Sequence, residues 1–165
     1  MADNNPEPWL RGPLHGVDPL LAPVLHALMQ VEEDLEKYTA GLTSEQVWSE
    51  ASGVGTLGFH LKHIAGSLDR LTTYLEGCEL SETQMKFLQG EHEPADMPEL
   101  MDIVRQSIRR TATSVRGLSR ESLLAPRYVG RKRLPTTTIG LAIHIAEHTQ
   151  RHLGEAIVLA KLIRR

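Results

Sequence analysis

From residue 21 onward, apolar side chains recur at the spacing of helix faces. Leu21, Leu25, Leu28, Val31 and Leu35 predict an amphipathic helix reaching about Ala40. Asp18-Pro19 marks its start, because Asp can cap free backbone N–H groups and Pro fits the first turn; Pro23 allows a start one turn later. Gly41 and the segment Thr43 to Trp48 read as a stop and a short helical turn. Beyond Gly53-Val54-Gly55, Leu57, Leu61, Ile64, Leu68, Leu71 and Leu75 repeat with 4-3-4-3-4 spacing, the seam of an antiparallel bundle or coiled coil that Gly77 ends.

Ser81 to Gly90 fits a short helix inside a long connection. Asp96-Met97-Pro98-Glu99 resembles a capping box and opens a third helix through Leu100, Val104, Ile108, Val115 and Leu118. Residues 119 to 135 read as an irregular connection. Thr136 to Thr138 can cap a fourth helix that runs from Ile139 nearly to the C-terminus. Four amphipathic helices without a convincing strand pattern predict an all-α helix bundle. Residues 1–16, with three prolines and no periodicity, are expected as an extended arm, and residues 17–165 as one domain.

Composition narrows the partners. The chain has 165 residues and a net charge of −3, too mild to point to nucleic acid or an anionic membrane as the main partner. Arg127, Arg131, Lys132 and Arg133 form a basic cluster without interleaved aromatics, the reading of a solvated loop. Aromatics are 4% of the chain, so Leu, Ile, Val and Ala must fill the core. Cys78 is the single cysteine, which rules out an intrachain disulfide and reads as a small hydrophobe. The N-terminal residues lack the apolar stretch of a signal peptide, and no run reaches the length of a membrane span, so a cytoplasmic location is expected.

The last helix carries the chemistry. Its apolar stripe runs through Leu141, Ile145, Ala156, Leu159 and Ile163, and His148 and His152 fall where leucines would be expected. An unpartnered buried ring nitrogen costs roughly 1–3 kcal/mol, and at i, i+4 both rings leave one face a turn apart. A divalent ion would give both nitrogens a partner. His144 and Glu155 flank the same face as further ligands or supporting groups, and Glu147 or Glu155 could accept an imidazole N–H. A third ligand must come from another helix. On the second helix, seam geometry prefers His60, roughly 60° from the stripe centre, over His63 at roughly 120°, without settling the choice. His15, His26 and His92 lack such context and read as surface or capped histidines.

Two segments resemble the DinB-like superfamily. Gly58-Phe-His-Leu-Lys-His63-Ile-Ala-Gly-Ser-Leu-Asp-Arg70 is similar to its second-helix motif. Ile143-His-Ile-Ala-Glu-His148-Thr-Gln-Arg-His152-Leu-Gly154-Glu155 is similar to its fourth-helix motif. The likeness spans most of residues 17 to 163. It implies a DinB-like four-helix bundle of the up-down-down-up type, with one divalent metal held by His63, His148 and His152. It selects His63 over His60, because the position before Ile-Ala is the one that matches. Glu155 stands where many relatives have Gln, and His144 lies outside the family pattern.

Members with known activities are mostly thiol-dependent, using bacillithiol or mycothiol. The resemblance therefore implies a metal-dependent S-transferase or hydrolase acting on a small molecule, with a low-molecular-weight thiol as a second cofactor. Zinc and nickel both suit an all-imidazole site. A non-catalytic metal- or ligand-binding bundle is the alternative, and would close the metal's remaining position with Glu155 or His144. A homodimer paired through an exposed helix face is also expected.

Overall fold

The apolar stripes become the buried faces of four long helices in the computed structural model, which describes residues 5–50 and 53–164. These helices are α1 (Ala22–Thr39), α3 (Leu57–Leu75), α5 (Met97–Arg116) and α6 (Thr138–Ile163). Two short helices, α2 (Ser44–Trp48) and α4 (Glu82–Gln89), sit in the connections. Leu25, Leu28, Leu57, Leu61, Ile64, Leu68, Leu100 and Ile145 form the centre of one continuous core. None of the helices is long and apolar enough to cross a membrane.

α1 starts at Ala22, one turn beyond Asp18-Pro19, with Pro23 in its first turn; Asp18 instead accepts the Leu20 N–H and shapes the preceding turn. Thr43 and Ser81 form reciprocal capping boxes with Gln46 and Gln84 at α2 and α4. The box expected at Asp96 does not form. Asp96 is the capping residue of α5 but makes no side-chain bond there; the Met97 N–H is instead accepted by Ser44 Oγ from a neighbouring element. Ahead of α1, a 3-10 turn (Pro8–Leu10) and an Arg11–Glu33 ion pair fasten the N-terminal segment onto that helix. Residues 1–4 of the expected arm lie outside the described residues.

One expectation is corrected between α5 and α6. Part of the segment anticipated as irregular is an antiparallel hairpin, β1 (Pro126–Val129) with β2 (Leu134–Thr137), pairing Pro126 with Thr137 and Val129 with Leu134. Four-residue strands are too short to show a repeat, and prolines at Pro126 and Pro135 mask the signal. The turn uses Gly130 at φ 71° and Arg133 at φ 49°, with the Arg133 guanidinium 4.6 Å from the Tyr128 ring centre. Arg131, Lys132 and Arg133 are exposed, while Arg127 donates from Nε to Leu75 O.

The helix pairings set the site. α6 lies against both α1 and α3, and α3 also lies against α5. His60 faces His152 and His63 faces His148, so α3 and α6 run in opposite senses. Asp69 pairs with Arg110 and Glu76 bonds Ser114, so α3 and α5 run in the same sense. Gln150 reaches Ala27 O and Arg164 reaches Tyr38 O, which gives α1 and α6 the same sense.

Candidate metal centre

Antiparallel packing of α3 on α6 turns two histidine pairs of different spacing into facing partners. On α3, His60 and His63 are three residues apart; on α6, His148 and His152 are four apart. His63 Nε2 and His148 Nε2 approach to 3.2 Å, and the rings of His63 and His152 lie 4.3 Å apart between centres. The ligand atoms offered by His63, His148 and His152 all fall within 4.8 Å of one another. Donors at 2.0–2.1 Å from a tetrahedral ion stand about 3.3 Å apart, so the His63–His148 separation is already that of two ligands.

The position of these rings corrects the stripe argument. The buried line of α6 passes through Ile145, Thr149, Leu153 and Ala156, while His148 and His152 are half-buried on the flank that meets α3. Thr149 sits in the core because its hydroxyl donates to Ile145 O, so a polar residue passes through the stripe with its hydrogen bond made.

His63 is aimed from behind. Its Nδ1 lies 2.7 Å from Glu91 Oε2, and Arg70 Nη1 donates to Glu91 Oε1 at 2.8 Å. Burial raises the Glu91 carboxyl, but hydrogen bonds from His63 and Arg70 outweigh it and hold the group below the usual carboxylate range. An ionised carboxylate only accepts, so Nδ1 carries the His63 proton and Nε2 presents its lone pair to His148. This is the support that metal-bound imidazoles commonly receive. Sequence reasoning missed Glu91, which lies in a connection without periodicity. The trace it left is Gly66: a Cβ there would stand 2.6 Å from Glu91 Oε1 and 2.7 Å from Arg70 Nη1.

Burial, helped by the neighbouring His152, His63, His144 and Arg151, lowers the His148 pKa to about 4. Burial also lowers His152, with His63 acting in the same direction and Glu155 opposing. Both rings are therefore neutral near pH 7, the form in which imidazole binds a metal. His152 Nδ1 lies 2.9 Å from Glu155 Oε2, leaving Nε2 to face the centre.

The remaining candidates fall on different sides. His60 is buried and meets His152 and Glu155. His144 is exposed, bonded through Nδ1 to Glu147, and belongs to neither group of converging donors. A cavity of about 430 Å³ opens beside His63 and His148, walled also by Ser67, Arg70, Tyr74 and Arg131. His144 also lines this cavity, with its Nδ1 turned to Glu147, whereas Glu155 is not part of the lining.

A model of the DinB superfamily matches residues 27–156, which contain every residue of this centre. A crystal structure of a protein from Streptococcus pneumoniae has a similar fold, with a TM-score of 0.63 and 14% sequence identity over 84% of this chain and 86% of that one. No curated protein matches the sequence.

Proposed function

The chain belongs to the DinB superfamily, and on that premise we propose that it is a metal-dependent enzyme of the thiol S-transferase or hydrolase kind, with His63, His148 and His152 as ligands of one zinc or nickel ion. The observation that carries this reading is the 3.2 Å approach of His63 Nε2 to His148 Nε2 beside an open cavity, with the His63 proton committed to Glu91. Three neutral imidazoles leave a divalent ion its full charge and an open position. Bound there, the ion supplies a Lewis acid that brings the pKa of a water or thiol toward neutrality.

The chain's own residues do the rest. Glu91 and Arg70 hold the His63 ring against rotation. The cavity admits a small-molecule substrate and a low-molecular-weight thiol from the side of Ser67, Tyr74 and Arg131. The absence of Glu155 from the cavity lining, and the commitment of His144 Nδ1 to Glu147, favour the enzyme over a closed, purely structural site. The up-down-down-up order of the helices fits this reading, since the senses in which α6 meets α1 and α3, and α3 meets α5, support it. A homodimer paired through an exposed helix face belongs to the same proposal.

The test is elemental analysis of protein purified without a metal-affinity tag, beside His148→Ala. Bound zinc or nickel in the wild type that disappears in the variant upholds the site and directs screening toward thiols. A wild type that stays metal-free after reconstitution overturns the reading.

A further inference from the structure

A second group of donors converges on Nδ1 of His152. Glu155 Oε2 lies 2.9 Å from His152 Nδ1 and 3.2 Å from His60 Nδ1, and the two Nδ1 atoms are 3.2 Å apart. All three edges of this triangle are close to the roughly 3.3 Å that separates ligands on a tetrahedral ion.

Protons alone serve the triangle poorly. If both imidazoles donate to Glu155, two N–H groups crowd one oxygen and face each other at 3.2 Å. If either Nδ1 is instead an acceptor, it faces the Glu155 carboxylate, a second acceptor, across an edge that needs a donor. One cation satisfies all three atoms together. The donor set is two imidazoles and one carboxylate, a combination that binds first-row divalent ions on one face and leaves further positions open. His60 is buried on α3, which fixes its direction, while the half-exposed Glu155 carboxylate leaves the triangle accessible from solvent.

We propose that His60, His152 and Glu155 form a second divalent transition-metal site, joined to the His63–His148–His152 centre through the two ring nitrogens of His152. The bridging part of this inference rests on the reading of the first centre; the triangle does not. With both ions in place, His152 binds as imidazolate and its ring proton leaves to solvent. The imidazolate and Glu155 offset part of the paired positive charge.

The experiment is zinc stoichiometry on stripped protein, reloaded with zinc and freed of excess by gel filtration. It compares wild type with Glu155→Gln, His60→Ala and His63→Ala, and circular dichroism verifies that each variant is folded. Glu155→Gln is the decisive variant, because a half-exposed side chain on α6 can change without touching the core. Two equivalents in the wild type, falling to one in each variant, is the expected result. A single wild-type equivalent that survives Glu155→Gln and vanishes in His63→Ala overturns the second site and leaves the first standing. A single equivalent lost in Glu155→Gln and kept in His63→Ala upholds the triangle and overturns the first centre. Two equivalents indifferent to both Glu155→Gln and His60→Ala overturn the proposal, and a protein that takes up no zinc overturns both sites.

Discussion

His63 and Glu91, separated by 28 residues of chain, meet at 2.7 Å between Nδ1 and Oε2, and that contact decides which nitrogen of His63 faces the centre. Glu91 in turn depends on Arg70, and both members of that ion pair are nearly inaccessible to water. Removing one partner of a buried pair strands the other, which costs about 3–5 kcal/mol. Glu91→Ala is therefore expected to lower the thermal midpoint strongly. Glu91→Gln keeps the shape while weakening the acceptor, and should raise the zinc dissociation constant by about 10- to 100-fold. Competition with a chromophoric chelator measures the second effect, and an unchanged affinity would refute the supporting role of Glu91.

Gly66 is the space in which that pair sits. In Gly66→Ala the new methyl would also stand 2.8 Å from the Phe87 ring. Neither Arg70 nor Glu91 can withdraw without breaking its partner's bonds, so the variant should lose about 1–3 kcal/mol, the usual range for an overfilled core. Chemical denaturation checks this. A neutral result would mean that the ion pair has room to shift.

The depressed pKa of His148 makes a pH prediction with a definite sign. In the metal-free protein the folded chain holds this ring neutral down to about pH 4, whereas the unfolded chain protonates it near 6.5. Between those values the unfolded state binds more protons, so the stability of the folded state falls as pH drops from about 6.5 and levels off below about 4. His148→Gln removes this contribution. Thermal midpoints of apoprotein taken from pH 7 to pH 4.5 should decline more steeply for the wild type than for the variant; parallel curves would contradict the burial that causes the shift.

His144 tests the limit of the centre. Its Nδ1 is bonded to Glu147, which also receives Arg151, on the exposed side of α6. His144→Ala is expected to leave the bound-metal stoichiometry unchanged. Lost metal would make His144 a ligand and require the last turn before His148 to rearrange.

Local information in the chain was enough for the helices and the chemistry on them. Leucine spacing in α3, the capping residue Thr137 and the i, i+4 placement of His148 and His152 all act within a few residues, so they are readable before any packing is known. The motif likeness added His63 and the superfamily. What remained undecided depended on contacts between distant segments. Whether His60 or His63 faces α6 had no local answer, and the structure uses both, because the antiparallel register sets His60 against His152 and His63 against His148. Periodicity placed the two α6 histidines in the core line, which Thr149 and Leu153 occupy instead. The hairpin escaped notice because its strands are too short to repeat, and Glu91 because its partners lie on a helix two elements away. A helix face is written into neighbouring residues, whereas a ligand's supporting carboxylate is found only when the chain folds back on itself.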